Sequence, residues 1–471
     1  MLFNSYVFVI FFVVVYALYL LLMKHHRLQN TLLLVASLIF YGYWDWSLLL
    51  LLLFSKTVNF ALANRIDKTE EPVLRKRYLI SAISFNLLLL GFFKYFNFFT
   101  SSFADFLGLF GIQPSWTTLN ILLPMGISFY TFQLLGYIVD VYRKKLAPIR
   151  NFFDFILFVS FFPQLVAGPI ERATDLVPQI LSPRVLKTEQ INAGIFLIAW
   201  GFFKKIVIAD NLKTLVDPIF NSYTQYQGLD VLIAVLGFTF QIYCDFSGYS
   251  DIARGIAKLM GFELTLNFRL PYFAVNPSDF WSRWHISLSS WLRDYLYIPL
   301  GGNRYGTSNT YRNLFITMLL GGLWHGAAWN FVIWGAYQGA ILILYRRFEP
   351  KLEPQKFWNH SHFGVGIRML VMFILTNIGW VIFRSNSIPQ MVYILTNIGF
   401  AASSMSLILG YKLVFFCLPL LLVQIYQGVT ANLLIITKLN LIFRITIYSF
   451  LTVWLFIFGA RESGEFIYFQ F

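Results

Sequence analysis

The stretch that decides the fold is Thr31–Ala63, TLLLVASLIFYGYWDWSLLLLLLFSKTVNFALA. A membrane-spanning helix needs about 20 mainly apolar residues, so this run is too long for one crossing and suits two short ones. Their natural meeting point is Tyr43-Trp44-Asp45-Trp46, where aromatic rings and one carboxylate fit the boundary between bilayer and water. Upstream, the apolar run Tyr6–Met23 ends in Lys24-His25-His26-Arg27. It has no basic segment before it and no small-residue cleavage site after it, so it reads as a retained first helix. Downstream, Arg65, Lys68, Arg75, Lys76 and Arg77 bring the chain back to a basic side after two crossings. Basic residues are retained in the cytoplasm, which predicts an N-terminus outside it.

The same grammar continues along the chain. Leu79–Phe93 and Ile121–Val139 are the next apolar runs, closing at Arg143-Lys144-Lys145. Phe152–Ala167 is apolar but runs into Pro163, Gly168 and Pro169, which interrupt a spanning helix and predict a re-entrant or half-buried element. Ile191–Ile208, Val231–Cys244, Leu314–Leu320, Phe331–Leu344, Met369–Phe383, Met391–Ile408, Leu413–Gln427 and Leu439–Phe458 follow. The expected fold is an all-α polytopic membrane protein of roughly eleven passes. It is expected to form one membrane domain, with N-terminal helices over 1–150, a core with re-entrant segments over 151–345, and C-terminal helices with an aromatic tail over 346–471.

Composition agrees. Of 471 residues, 58% are hydrophobic and 12% charged, which excludes an ordinary soluble globular protein. The net charge of +14 follows from basic residues held on one membrane face. Without a basic-aromatic nucleic-acid module, the expected partner is the lipid bilayer and not a nucleic acid. Cys244 and Cys417 have no metal-ligand spacing and are expected to be packed free thiols. Asp245 and Asp251 do not form a recognisable metal loop; they are expected to pair with arginines such as Arg254, Arg283 or Arg293, and no metal is expected.

Polar, ionisable and aromatic residues interleave most densely between Asn276 and Asn330. Of six histidines, only His285 and His325 lie among tryptophans there, 40 residues apart. Histidine suits proton transfer near neutral pH, and an ionisable group inside a membrane protein marks a functional site by default. Gly321, Gly322 and Gly326 permit close backbone approach around His325. A histidine so held can act as a general base on a hydroxyl attacking an activated acyl group, and Arg283, Arg293 and Arg304 can bind a phosphate-bearing donor. The opposing reading makes both histidines interhelical hydrogen-bonding residues and the arginines helix-end anchors. No nucleophile elbow, Walker loop or dinucleotide fingerprint is present.

These motifs resemble the membrane-bound O-acyltransferase superfamily, in particular its bacterial members that acetylate alginate or cell-wall polymers or D-alanylate teichoic acids. The matching residues are Phe280–Ser289, Asp294–Arg304 and Gly322–Trp329, together with Val166–Ile170 and Asp245–Asp251. The resemblance implies a helical bundle around a central funnel, in the bacterial inner membrane, with acyl transfer from a cytoplasmic thioester such as acetyl-CoA to an acceptor on the outer side. It assigns the essential histidine to His325 and the second polar-motif histidine to His285. It also implies a donor or substrate environment of Arg283, Trp284, Arg304, Trp324 and Asn330. The tail Phe466–Phe471 is similar to an aromatic C-terminal motif whose tyrosine, here Tyr468, is expected to relay the acyl group. No extracytoplasmic esterase-like (SGNH) domain is fused, so a separate one is the expected partner. A transporter, with His, Asp and Arg along a substrate path, is the rival from another class; a non-catalytic scaffold is the weaker one.

Overall fold

A backbone surrounded by hydrocarbon must satisfy its own N–H and C=O groups, and runs of leucine, phenylalanine and isoleucine do so as helices. The computed structural model describes residues 1–112, 119, 121–165, 168–352, 361–460 and 466–467. Tyr468 and the Val166-Ala167 pair singled out above lie outside the described residues. All regular elements among the described residues are helical, apart from one isolated parallel bridge between Gly228 and Ile398. Among the described residues seven helices are long and apolar enough to cross a membrane, which establishes a multi-pass protein. The count of eleven is not reached by these alone, because several further helices have 16 or 17 residues, short of a perpendicular crossing.

The described residues divide into two compact units. The first comprises residues 1–186, 260–265 and 326–328. Its helices are α1 (Tyr6–Leu21), α2 (His26–Gly42), α3 (Trp46–Lys68), α4 (Pro72–Leu90), α5 (Phe96–Gly108), α6 (Ile127–Tyr142), α7 (Phe152–Ser160), α8 (Phe162–Leu165) and α9 (Ala173–Leu181). The expected break near Tyr43–Trp46 is present, and Asp45 makes it: its carboxylate accepts the backbone N–H groups of Ser47 and Leu48 and caps α3. The run expected to stop at Phe93 instead continues through a π-helical turn, Gly91–Tyr95, into α5. The proline-interrupted stretch is two short buried helices, α7 and α8, as its breakers dictate. Arg184 is the polar hub of this unit, donating to the Tyr19 hydroxyl at 2.9 Å and the Asn30 side-chain oxygen at 2.7 Å while lying over the Phe262 ring.

The second unit comprises residues 187–259, 266–325 and 329–471. It contains α10 (Thr188–Phe202), α11 (Asp210–Asn221), α12 (Leu229–Leu259), α13 (Pro277–Arg283), α14 (Ile286–Leu292), α15 (Gly306–His325), α16 (Trp329–Leu352), α17 (His362–Arg384), α18 (Ile388–Thr396), α19 (Ser406–Val429) and α20 (Leu441–Phe458). Two sequence expectations are corrected here. Met391–Ile408 is not one helix. It ends at Asn397, whose side chain folds back onto the Tyr393 carbonyl, and Gly228 and Leu229 donate to the Asn397 and Ala401 carbonyls before α19 begins. The helix expected over Val231–Cys244 does not stop there but continues through Asp245–Asp251, which forms the middle of the 31-residue α12.

Small residues explain the second correction. A Cβ on Gly201 would lie 2.7 Å from the Gly248 carbonyl oxygen, and one on Gly255 would lie 2.7 Å from that of Gly194. The two glycine pairs are each seven residues apart and match in reverse order, so α10 and α12 run antiparallel in backbone contact. Small residues are how membrane helices approach this closely. The approach brings the π-helical segment Phe203–Ala209, between α10 and α11, against the acidic middle of α12.

Candidate active site

His285 and His325 come together in the second unit, with ring centroids 6.5 Å apart. His325 is the last residue of α15 and is 4% exposed. Trp324 and Trp334 each lie 5.1 Å from its ring and Phe383 lies 5.6 Å away. Close approach of α15 and α16 holds this arrangement: a Cβ on Gly322 would meet the Phe331 carbonyl oxygen at 2.3 Å. Asn330 joins through its side chain, which donates to the Phe383 carbonyl at 2.9 Å. Trp284 lies 4.8 Å from Trp380 with its ring tilted against it, and Trp380 in turn contacts Trp334 and Phe383. Trp284, Trp324 and Asn330 therefore share one aromatic cluster with the two histidines.

His285 is fully buried and has the left-handed backbone φ of 44°, a conformation that costs energy for a residue with a Cβ. Asn267 holds it there. Its carbonyl accepts the Ile286 N–H at 3.0 Å, and its side-chain oxygen accepts both the N–H and the hydroxyl of Ser287. His285 itself caps α14, its Nδ1 accepting the Leu288 N–H at 3.3 Å. Burial pushes its pKa down to about 3 from the usual 6.5, so at neutral pH it is a neutral imidazole. The His285 hydrogen bond is thus a cap within its own helix and not an interhelical one, whereas His325 lies among rings at a helix end.

The arginines do not join the cluster. Arg283 Nε donates to Asp279 at 2.7 Å within α13, Arg293 pairs with Asp294, and Arg304 is exposed on the glycine-rich turn before α15. Arg283 and Arg293 are therefore not the partners of Asp245 and Asp251. Of the expected arginines, Arg254 does pair with Asp251, and the remaining partners are lysines. Lys204 reaches Asp251 at 2.7 Å and the Ser247 hydroxyl at 3.0 Å, and Arg254 adds a contact of 3.4 Å to Asp251. Lys205 bridges Asp245 at 2.5 Å and Asp210 at 2.9 Å. Three cations and three carboxylates balance, as burial demands. Sequence reasoning passed over Lys204 and Lys205 because they fall inside an apolar run; the signal was the two glycines on α12 that admit a neighbouring backbone.

The cysteines are free and buried. Phe466 and Ile467 are buried at 1% and 4% exposure, and the ring of Phe466 lies 5.6 Å from Phe246, whose own ring is 4.7 Å from His285.

Residues 143–383 match the model of the MBOAT, membrane-bound O-acyltransferase family. The chain is 42% identical over 391 residues to the probable alginate O-acetylase AlgI of Pseudomonas putida, covering 82% of this chain and 78% of that protein. It is 36% identical over 425 residues to the peptidoglycan O-acetyltransferase of Helicobacter pylori, covering 84% and 79%. Similarity to the teichoic acid D-alanyltransferase of Bacillus subtilis is 30% over 285 residues, 58% of this chain and 71% of that one.

Proposed function

Since the chain belongs to the membrane-bound O-acyltransferase family and is a multi-pass membrane O-acyltransferase, we propose that it O-acetylates an exported polysaccharide, taking acetyl from a cytoplasmic thioester such as acetyl-CoA. The observation that carries this reading is the 42% identity to alginate O-acetylase over most of both chains. The enclosed His285–His325 pair supports it chemically. In the proposed step, His325 takes the proton of an acceptor hydroxyl as that oxygen bonds to the thioester carbonyl carbon; the C–S bond breaks and the departing thiolate takes the proton. The surrounding rings exclude water that would otherwise hydrolyse the thioester. His285 acts through position, its neutral ring and cap fixing the chain beside His325. Trp284, Trp324 and Asn330 hold the aromatic surroundings of the histidines, while Arg304, and Arg283 where its pair with Asp279 opens, attract the anionic part of the donor. The Tyr468 hydroxyl is the acceptor we assign for a relay, after which a separate extracytoplasmic esterase-like transferase passes acetyl to the polymer. The protein is assigned to the bacterial inner membrane with its N-terminus outside the cytoplasm, on the basic clusters at 24–27, 65–77 and 143–145; labelling of an Asn4→Cys variant by an impermeant thiol reagent in spheroplasts checks the orientation.

Alkali-labile groups on the exported polymer test the function. Cells lacking the chain are expected to lose polymer-bound acetate and to regain it on complementation. Unchanged acetate in the deletion contradicts the assignment. D-alanyl transfer is the second reading, favoured by the similarity to the Bacillus subtilis protein; release of D-alanine in place of acetate from the same hydrolysis selects it.

A further inference from the structure

Phe466 and Ile467 are buried in the interior of the second unit. What holds them is specific. The backbone N–H of Ile467 donates to Asp245 Oδ2 at 2.7 Å, across 222 residues of sequence. Asp245 is buried on α12, and its other oxygen meets Lys205, which also pairs with Asp210. One carboxylate thus faces a lysine with one oxygen and a main-chain donor with the other. Apolar packing alone would hold an aromatic tail without fixing its register; a charged acceptor aimed at one amide fixes the register, since such hydrogen bonds are short and directional. Phe466 adds the second constraint, lying 5.6 Å from Phe246, next to Asp245, and 5.0 Å from Tyr249, one turn further along α12. Phe246 touches the ring of Phe466 on one side and that of His285 on the other.

We propose that Asp245, oriented by Lys205 and Asp210, is the dock for the C-terminal tail, and that these positioning residues set the tail one aromatic ring from the paired histidines for acyl transfer. The transfer role rests on the function proposed above; the dock does not. The π-helical turn supplies the geometry, since it carries Lys204 and Lys205 into α12 at neighbouring positions so that each meets a different carboxylate.

Hydrogen–deuterium exchange of the C-terminal peptide in the full-length protein, with labelled acetyl transfer measured in parallel, tests both parts. Asp245→Ala removes the acceptor, whereas Asp245→Asn keeps an oxygen in its place, and both remove the charge facing Lys205. The dock predicts that the Ile467 amide exchanges at least about tenfold faster in Asp245→Ala than in wild type, with Asp245→Asn close to wild type. Equal exchange in all three overturns it. Ile467→Pro deletes the donor and leaves the ion cluster intact; it is expected to lower kcat with the KM for the thioester unchanged, and full kcat in this variant overturns the positioning role. A wild type that transfers no acetyl sinks the acetyl reading, and the exchange measurement still decides the dock.

Discussion

Two buried polar regions of the second unit are built in opposite ways. Around His325, an imidazole is enclosed by indole and phenyl rings; around Lys205, charged groups are enclosed by one another. Removing a group from the first leaves packed rings and a stable helix end. Removing one from the second leaves an uncompensated ion. The contrast separates the part of the molecule assigned to chemistry from the part that fixes geometry, and each substitution below should register mainly in one column.

The largest expected effect belongs to the ring-lined region. His325→Ala is expected to lower acyl transfer by roughly 10²–10⁴-fold, the range typical of a lost general base, with thermal unfolding little changed. Next comes the ion cluster, where Lys205→Met strands Asp245 and Asp210; the expected cost is about 3–5 kcal/mol of stability, read as a lowered Tm and partly recovered in the Lys205→Met, Asp245→Asn double variant. Gly201→Ala drives a methyl toward the Gly248 carbonyl and is expected to cost about 1–3 kcal/mol by separating α10 from α12. A pH series sharpens the contrast from the other side. Because burial depresses the His285 pKa to about 3, its contribution to stability is complete above the unfolded value of 6.5 and is lost as pH falls from there toward 3. The Tm of wild type should therefore drop more between pH 7 and pH 5 than that of His285→Asn, in which asparagine keeps both the left-handed backbone and the cap. The smallest effect is Asn330→Ala, expected to cost about 1 kcal/mol through the lost bond to the Phe383 carbonyl, measured by unfolding.

Much of this was legible in the amino-acid order, for identifiable reasons. Hydropathy marks helices wherever lipid replaces water, so the pairing of α2 and α3 about Asp45 could be read from a string of leucines. Histidines flanked by tryptophans announced His285 and His325, and their meeting needed only two adjacent segments. The lysine partners were not legible. Lys204 and Lys205 sit in a run whose neighbours are phenylalanine, isoleucine and valine, and helical periodicity of 3.6 cannot foresee a π-helical turn that rotates them onto α12. Arg283 and Arg293 looked better suited to Asp245 and Asp251, but each has a carboxylate within its own helical neighbourhood, a nearer solution than any distant one. The division of labour between the histidines was hidden too, because a left-handed φ at His285 depends on Asn267, which no spacing rule links to it.

The most direct test of the central claim, that His325 carries the proton in acyl transfer while His285 holds the site in place, is single-turnover transfer of radiolabelled acetyl from acetyl-CoA by the purified protein. The account predicts that label transfer by wild type is abolished in His325→Ala and largely kept in His285→Asn, with both variants monodisperse and folded. A folded His325→Ala protein that transfers acetyl at the wild-type rate would contradict it.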